Sequence, residues 1–410
     1  MTAFGAASPT ATRMTADERR TSAALAGIFA LRMLGLFLVL PVFALEAARL
    51  PGGHDPERVG LALGIYGLTQ ALLQMPLGLA SDRWGRKRVI QAGLAVFAAG
   101  SVWAALATHI DHLIAARALQ GAGAISAAVT ALLADLTRDT VRTKAMALVG
   151  ASIALVFALS LVLAPPLAGA VGLSGLFALT AALTLLGMAV VQWGVPAEPA
   201  RPRLPTPHAL RTVLRDPALL RLNLGVLLLH TLQMALWMAV PALLVQAGLP
   251  KAAHWQVYLP ALVVSFLIMG GVLFRLERRG HLAAVLRGAI GLLLLAQLAL
   301  WWAAQAHAGL LALGLTLMVF FLGFNTLEAS QPSLTSRLAP PSARGAALGV
   351  YNTLQSLGLF AGGALGGWLA QHHGPTAIFA GGAVVCALWL CLSWGLRAPA
   401  PAAAATAATP

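Results

Sequence analysis

Apolar residues run in long blocks along this chain, and polar residues gather in the short breaks between them. A membrane helix needs about 20 apolar residues. Blocks of that length fall at 22–46, 57–80, 89–108, 112–134, 144–170, 173–194, 219–246, 256–275, 282–304, 308–330, 345–371 and 374–396. Polar residues inside them recur at helical spacing. The pattern predicts an all-α membrane protein of twelve transmembrane helices.

The longest break, Pro196 to Pro217, holds six prolines and four arginines and reads as a linker between two six-helix halves. The expected organisation is a tail over 1–21, a bundle over 22–194, a linker over 195–218, a second bundle over 219–396, and an Ala/Pro-rich tail over 397–410. A repeat supports it. Pro41 and His54 recur as Pro241 and His254, and Arg142 before the fifth block recurs as Arg344 before the eleventh. Such an offset is expected of two pseudo-symmetric bundles related by a parallel repeat.

Composition removes the soluble alternatives: 59% of residues are hydrophobic, 10% are charged, and mean hydropathy is +0.82. The net charge of +14 is explained by topology. With the N-terminus in the cytoplasm, 22 Lys and Arg fall on that side and three, Arg49, Arg58 and Lys251, on the other. Basic residues on cytoplasmic loops set orientation, so no nucleic-acid partner is needed, and both termini are expected in the cytoplasm. The N-terminal stretch, with Arg19 and Arg20, lacks the features of a removable signal peptide. Cys386 and Cys391 lie in the last block at a spacing that faces them apart and are expected to be packing residues.

Three segments carry candidate chemistry. Gly78 to Arg88 reads G-L-A-S-D-R-W-G-R-K-R, fitting G-x-x-x-D-R-x-G-R-[KR] through Gly78, Asp82, Arg83, Gly85, Arg86 and Lys87. Glycine permits a tight turn between helices, and Arg86 can pair with Asp135 at the end of the fourth block. Ion pairs of this kind can hold one face of a bundle shut and break when it opens; the bland alternative is that these arginines only set topology. The fourth block carries R-A-L-Q-G-A-G, with Gln120 one turn from Arg117, and here an interior role competes with snorkelling to the membrane surface. The fifth block ends in A-P-P-L-A-G, a degenerate form of an antiporter motif.

Ionisable groups within the blocks are expensive in lipid and point to function. They are Arg32, Arg117, His230 and Glu328, assigned to proton coupling or substrate. Arg32 needs either an anionic substrate group or a carboxylate from another helix. For His230 a hydrogen-bonded core imidazole is the alternative, and for Glu328 a salt bridge, to Arg32 among others. Imidazoles and buried carboxylates exchange protons within reach of neutral pH. Tyr66, Gln70, Gln74, Gln120, Asn325, Tyr351, Asn352 and Gln355 are the remaining intramembrane polar groups, expected to line a cavity or to bond between helices. No Cys/His cluster has metal-ligand spacing and no Walker pattern occurs, so no metal, cofactor or catalytic residue is expected. His372 and His373 read as loop.

The first motif resembles the loop between helices 2 and 3 of major facilitator superfamily transporters, and R-x-x-Q-G-x-G resembles their fourth helix. Further stretches, among them L-R-M-L-G-L-F-L-V-L-P-V (31–42), G-I-Y-G-L-T-Q-A (64–71), D-L-T-R (135–138), H-W-Q-V-Y-L (254–259) and G-V-Y-N-T-L-Q (349–355), are similar to YajR-type transporters of the drug:proton antiporter class. The resemblance implies proton-driven efflux of small molecules across a bacterial inner membrane, no enzymatic activity, and a charge relay of Asp82, Arg86 and Asp135. It also implies a proton-coupling role for Arg117. YajR-type proteins can carry a soluble ferredoxin-like domain after helix 12, where this chain has its Ala/Pro tail. Many drug antiporters place a carboxylate in helix 1, where this chain has Arg32, so coupling is expected to rest on Glu328 or His230. A monomer is expected. An uncoupled facilitator, a symporter and a transport-dead sensor are the competing functions.

Overall fold

The computed structural model describes residues 14–196, 198, 209–279, 281–340 and 343–395. They form α1 (Ala16–Phe37), α2 (Leu40–Ala47), α3 (Pro56–Trp84), α4 (Arg86–Ala105), α5 (Ile110–Ala122), α6 (Ser126–Asp135) and α7 (Asp139–Ala189). Within the linker lies α8 (Ala209–Arg215), and after it come α9 (Pro217–Gln246), α10 (Trp255–Arg278), α11 (Leu282–Gln305), α12 (Leu310–Leu338), α13 (Arg344–His373) and α14 (Thr376–Leu392).

The apolar blocks are helical, with local breaks that have identifiable causes. The first block divides into α1 and α2 because Pro41 cannot donate to the carbonyl of Phe37 and clashes with it. The fourth divides at Gly123, where a side chain would strike the α4 backbone (2.4 Å from Gly93 O). Blocks five and six run together as α7, broken only at Gly172 (φ 66°, ψ −172°), a conformation that L side chains rarely adopt. The linker contributes one short helix, α8. Capping fixes several starts: Thr15 and Glu18 form a reciprocal capping box, and Asp55 and Asp216 cap helices that open with proline.

Among the described residues, eight helical segments are apolar and long enough to cross a membrane. Outside that set are α3 and α13, rich in glycine and polar side chains, and α14, which has 17 residues.

The helices before the linker pack mainly on one another, α1 and α4 against α7 and α3 against α5; those after it do likewise, α11 against α12 and α14 and α10 against α12. The most extensive contact between the two sets is α3 with α13. Glycines make it possible. A methyl group on Gly60 would lie 2.3 Å from the Gly363 carbonyl oxygen, and one on Gly367 would lie 2.5 Å from that of Pro56. Another stripe of α13, Gly358 and Gly362, meets α9 in the same way at Leu227 and Thr231. Further towards the α3–α4 turn the pair opens: substituents on Gly349 or Gly345 would meet nothing within 4 Å, nor would those on Gly150 of α7 or Gly270 of α10. The α3–α13 pair is thus in backbone contact at the end where α3 begins, here termed the closed end, and has open space beside Gly345 and Gly349 at the end where α3 meets α4, here termed the parted end.

Candidate transport site

Between the closed and parted ends lies a layer of buried polar groups. Arg32 on α1 is 1% exposed. Its Nη2 donates to Tyr66 Oη at 2.6 Å and to Gln70 Oε1 at 3.0 Å, and its guanidinium lies 5.2 Å from the Phe97 ring centroid. Tyr66 also donates to Gln70 Oε1 at 2.5 Å, and Gln70 Nε2 donates to Ser356 Oγ on α13 at 2.8 Å. The helical spacing of Tyr66 and Gln70 puts both side chains on one face of α3. Arg32 Nε and Nη1 have no hydrogen-bond partner among the described residues.

Arg117 is equally buried, so it does not snorkel. Nη1 donates to Gln120 Oε1 at 2.8 Å, and Nε and Nη2 reach the Ala62 and Leu63 carbonyls at 3.4 and 3.5 Å. Gln120 Nε2 in turn donates to Ser101 Oγ. The guanidinium sits 4.9 Å from the Tyr66 ring centroid, a cation–π contact. Tyr66 therefore meets one arginine through its hydroxyl and another through its ring face.

On the other side of Ser356, Gln355 Nε2 lies 2.7 Å from His230 Nε2 and 3.4 Å from Glu328 Oε1. His230 Nε2 and Glu328 Oε2 are 3.5 Å apart, and His230 Nδ1 lies 3.0 Å from the Val226 carbonyl. The helix continues past Pro332 to Leu338, which puts Glu328 about 15 Å from its end. Its side chain is 37% exposed, against 5% for His230. The Arg32–Glu328 salt bridge does not form: Glu328 engages Gln355 and His230, and Arg32 engages α3. An aromatic series, Phe37–Phe157–Phe324, crosses from α1 through α7 to α12, and His230 packs edge-on against Phe324.

At the parted end, Gly85 makes the turn from α3 to α4 at φ 97°. Arg86 Nε donates to Asp135 at 2.5 Å, its Nη1 pairs with Asp82 at 2.9 Å, and its backbone N–H donates to Glu198 at 2.7 Å. Ser81, 3.3 Å from Arg86 Nη1, is anchored to the Gly78 carbonyl. Lys87 donates to the Val195 carbonyl, and Arg138 embraces Glu18 with Nε and Nη2 at 2.8 and 2.9 Å. At the closed end Glu46 pairs with Lys251, with Arg49 at 3.7 Å.

The other expected residues are scattered. Asn325 donates to Ser265 between α12 and α10, and Tyr351 to Gln331 at 3.4 Å. Gln74 is 1% exposed and its amide has no partner among the described residues. Asn352 is half-buried and accepts from Ser356 through its carbonyl. His372 and His373 close α13 beside Trp368. Cys386 is buried, but Cys391 is exposed and so is not a core residue. Among the described residues no group of His, Cys, Asp or Glu is placed to hold a metal ion.

Sequence reasoning missed Glu18, Glu46, Glu198 and Ser356. Glu18 had a signal, the T-x-x-E capping box; Glu46 and Glu198 had none, because their partners lie 205 and 112 residues away. The glycine seam had a signal too, the G-x-x-x-G spacings at Gly60/Gly64 and Gly363/Gly367.

Comparison with known proteins places this geometry. The profile of the Major Facilitator Superfamily matches residues 25–363 and 329–410. The chain is 43% identical over 391 residues to the inner membrane transport protein YajR of Escherichia coli (strain K12), covering 94% of this chain and 85% of that one. It is 29% identical to the multidrug resistance protein MdtH of Proteus mirabilis (strain HI4320), covering 82% and 84%. Among solved structures, a D-xylose–proton symporter superposes with a TM-score of 0.72 at 17% identity, covering 92% of this chain and 98% of that one. With its paired arginines, motif turn and all-helical fold accounted for together, the chain belongs to the Major Facilitator Superfamily and is a relative of YajR.

Proposed function

We propose that this protein is a proton-coupled exporter of small molecules that works by alternating access. It crosses a bacterial inner membrane twelve times in two six-helix bundles, residues 22–194 and 219–396, with both termini in the cytoplasm and α7 supplying two crossings around Gly172. The Lys and Arg bias supports a cytoplasmic position for the parted end, where Arg86 is paired with Asp82 and Asp135 within the first set of helices. Asp82, Arg83, Arg86 and Asp135, with the turn glycines Gly78 and Gly85, form the gate on that side. The similarity to MdtH, a multidrug resistance protein, supports efflux.

The observation that carries the coupling is the His230–Gln355–Glu328 cluster, a half-exposed carboxylate beside a buried imidazole. With His230 neutral, its Nδ1–H donates to Val226 and its Nε2 accepts from Gln355. A proton arriving through Glu328 can pass to Nε2, which then donates to Glu328 while Gln355 turns its amide. The cluster thus holds a proton in one conformation and releases it in another.

The test is internal pH in proteoliposomes under an imposed pH gradient, with a compound panel and Glu328→Gln as control. Proton movement triggered by a compound and lost in Glu328→Gln is the expected result. Compound uptake without proton movement would replace this reading with facilitated diffusion. Silence towards every compound would favour the transport-dead sensor.

A further inference from the structure

We infer that Arg32 is an anion-binding residue and that the cargo carries an anionic group, a carboxylate, sulfonate or phosphate; this rests on the transport reading and narrows its substrate. A guanidinium stays charged in a protein interior. Buried charge persists where it is paired and hydrogen-bonded. Arg32 is 1% exposed, and each of its partners is neutral: the Tyr66 hydroxyl, the Gln70 amide and the Phe97 ring. Among the described residues, the Nε–H and both Nη1–H donors are unmet. Arg117 adds a second buried positive charge across Tyr66, again on neutral partners.

The carboxylate that could have balanced them, Glu328, is occupied with Gln355 and His230. The acidic groups nearest the two ends are engaged as well: Glu46 pairs with Lys251, and Asp82 and Asp135 share Arg86. The layer is therefore a preformed positive site without its counter-charge. Gln74, two helical turns along α3 from Tyr66, is buried with neither its Nε2 nor its Oε1 bonded, a second polar group built in without a partner. The chemistry these groups share is recognition of a planar or tetrahedral oxyanion.

Arg32 also explains how such a cargo would be felt across the molecule. Gln70 Oε1 accepts from Arg32 while Gln70 Nε2 holds Ser356. An anion taking the Arg32 donors competes with Gln70 and loosens the bond from Gln70 to Ser356 on α13, next to Gln355.

The experiment is binding, independent of proton movement. Protein in nanodiscs is titrated, by tryptophan fluorescence and thermal midpoint, with 1-naphthalenesulfonate against 1-naphthalenesulfonamide and 1-naphthoate against 1-naphthamide at constant chloride. The anions should bind about tenfold more tightly than their neutral analogues, the size of one lost charge-assisted bond. Arg32→Gln and Arg32→Met should lose that preference, and Arg32→Met should melt no lower than wild type without ligand, because it removes an unbalanced charge. Arg32→Lys, which keeps the charge, should retain the preference at reduced affinity. Equal binding of anion and neutral analogue by the wild type overturns the inference, as does an undiminished preference in Arg32→Gln. Anion binding without proton coupling would sink the exporter reading and leave this one standing. Coupled export of neutral or cationic compounds alone would do the reverse.

Discussion

Gln70 Nε2 donates to Ser356 Oγ across 2.8 Å, and this bond sits where the glycine-packed part of α3 and α13 gives way to the parted end. The same amide accepts from Arg32 and Tyr66. Gln70→Leu leaves a buried guanidinium with one partner fewer and should cost about 2–3 kcal/mol, whereas Ser356→Ala should cost about 1 kcal/mol. Unfolding in graded denaturant measures both. A larger loss from Ser356→Ala would show that the tie itself, rather than the arginine, is what Gln70 supports.

The seam predicts a sharp contrast between two glycines of one helix. A methyl on Gly363 falls 2.6 Å from the Gly60 carbonyl oxygen, while one on Gly349 meets nothing within 4 Å. Gly363→Leu should therefore destabilise the closed end by about 1–3 kcal/mol and shift the protein towards its opposite state. Gly349→Ala should be neutral. In a Cys391→Ser background, labelling of Gly349→Cys by an impermeant thiol reagent reports the shift. It should be fast alone and slow when combined with Gly363→Leu.

Glu46 and Lys251 are the ionic counterpart of that seam, both mostly buried and drawn from opposite halves of the sequence. Removing one partner of a buried pair is costly, about 3–5 kcal/mol, and removing both is often far cheaper. Lys251→Met should lower the melting temperature, with Arg49 limiting the loss, and Glu46→Gln/Lys251→Met should recover most of it. Additive losses in the double variant would mean that the two side chains do not interact.

Gln355 touches both His230 and Glu328, and it can be removed without changing any charge. Gln355→Leu should reduce compound-driven proton movement by about tenfold or more, the scale of a lost positioning group in proton transfer. Substrate counterflow, which needs no net proton transfer, should survive. Equal loss of both activities would make Gln355 a structural residue.

How far the sequence reached depended on how local each relationship was. The Arg86–Asp135 pair is legible because a short, dense motif faces a carboxylate at a nearby helix end. The polar face of Tyr66 and Gln70 followed from spacing alone. The break at Gly172 was legible only as a gap between two blocks, since one glycine suffices to part them. Glu46 with Lys251, and Glu198 with the backbone of Arg86, were not legible, because two ordinary charges separated by a hundred or more residues carry no mark of each other. The fate of Arg32 was likewise open: its sequence neighbours are apolar, and only the three-dimensional surroundings exclude a carboxylate partner.

The glycine contact between α3 and α13 has a consequence of a different kind. With one main chain resting directly on another, no column remains for a file of water molecules. Protons travel along such files. The Gly60–Gly363 contact is therefore insulation: it lets the closed end of a membrane transporter withstand an ion gradient without short-circuiting it, whatever cargo occupies the other side.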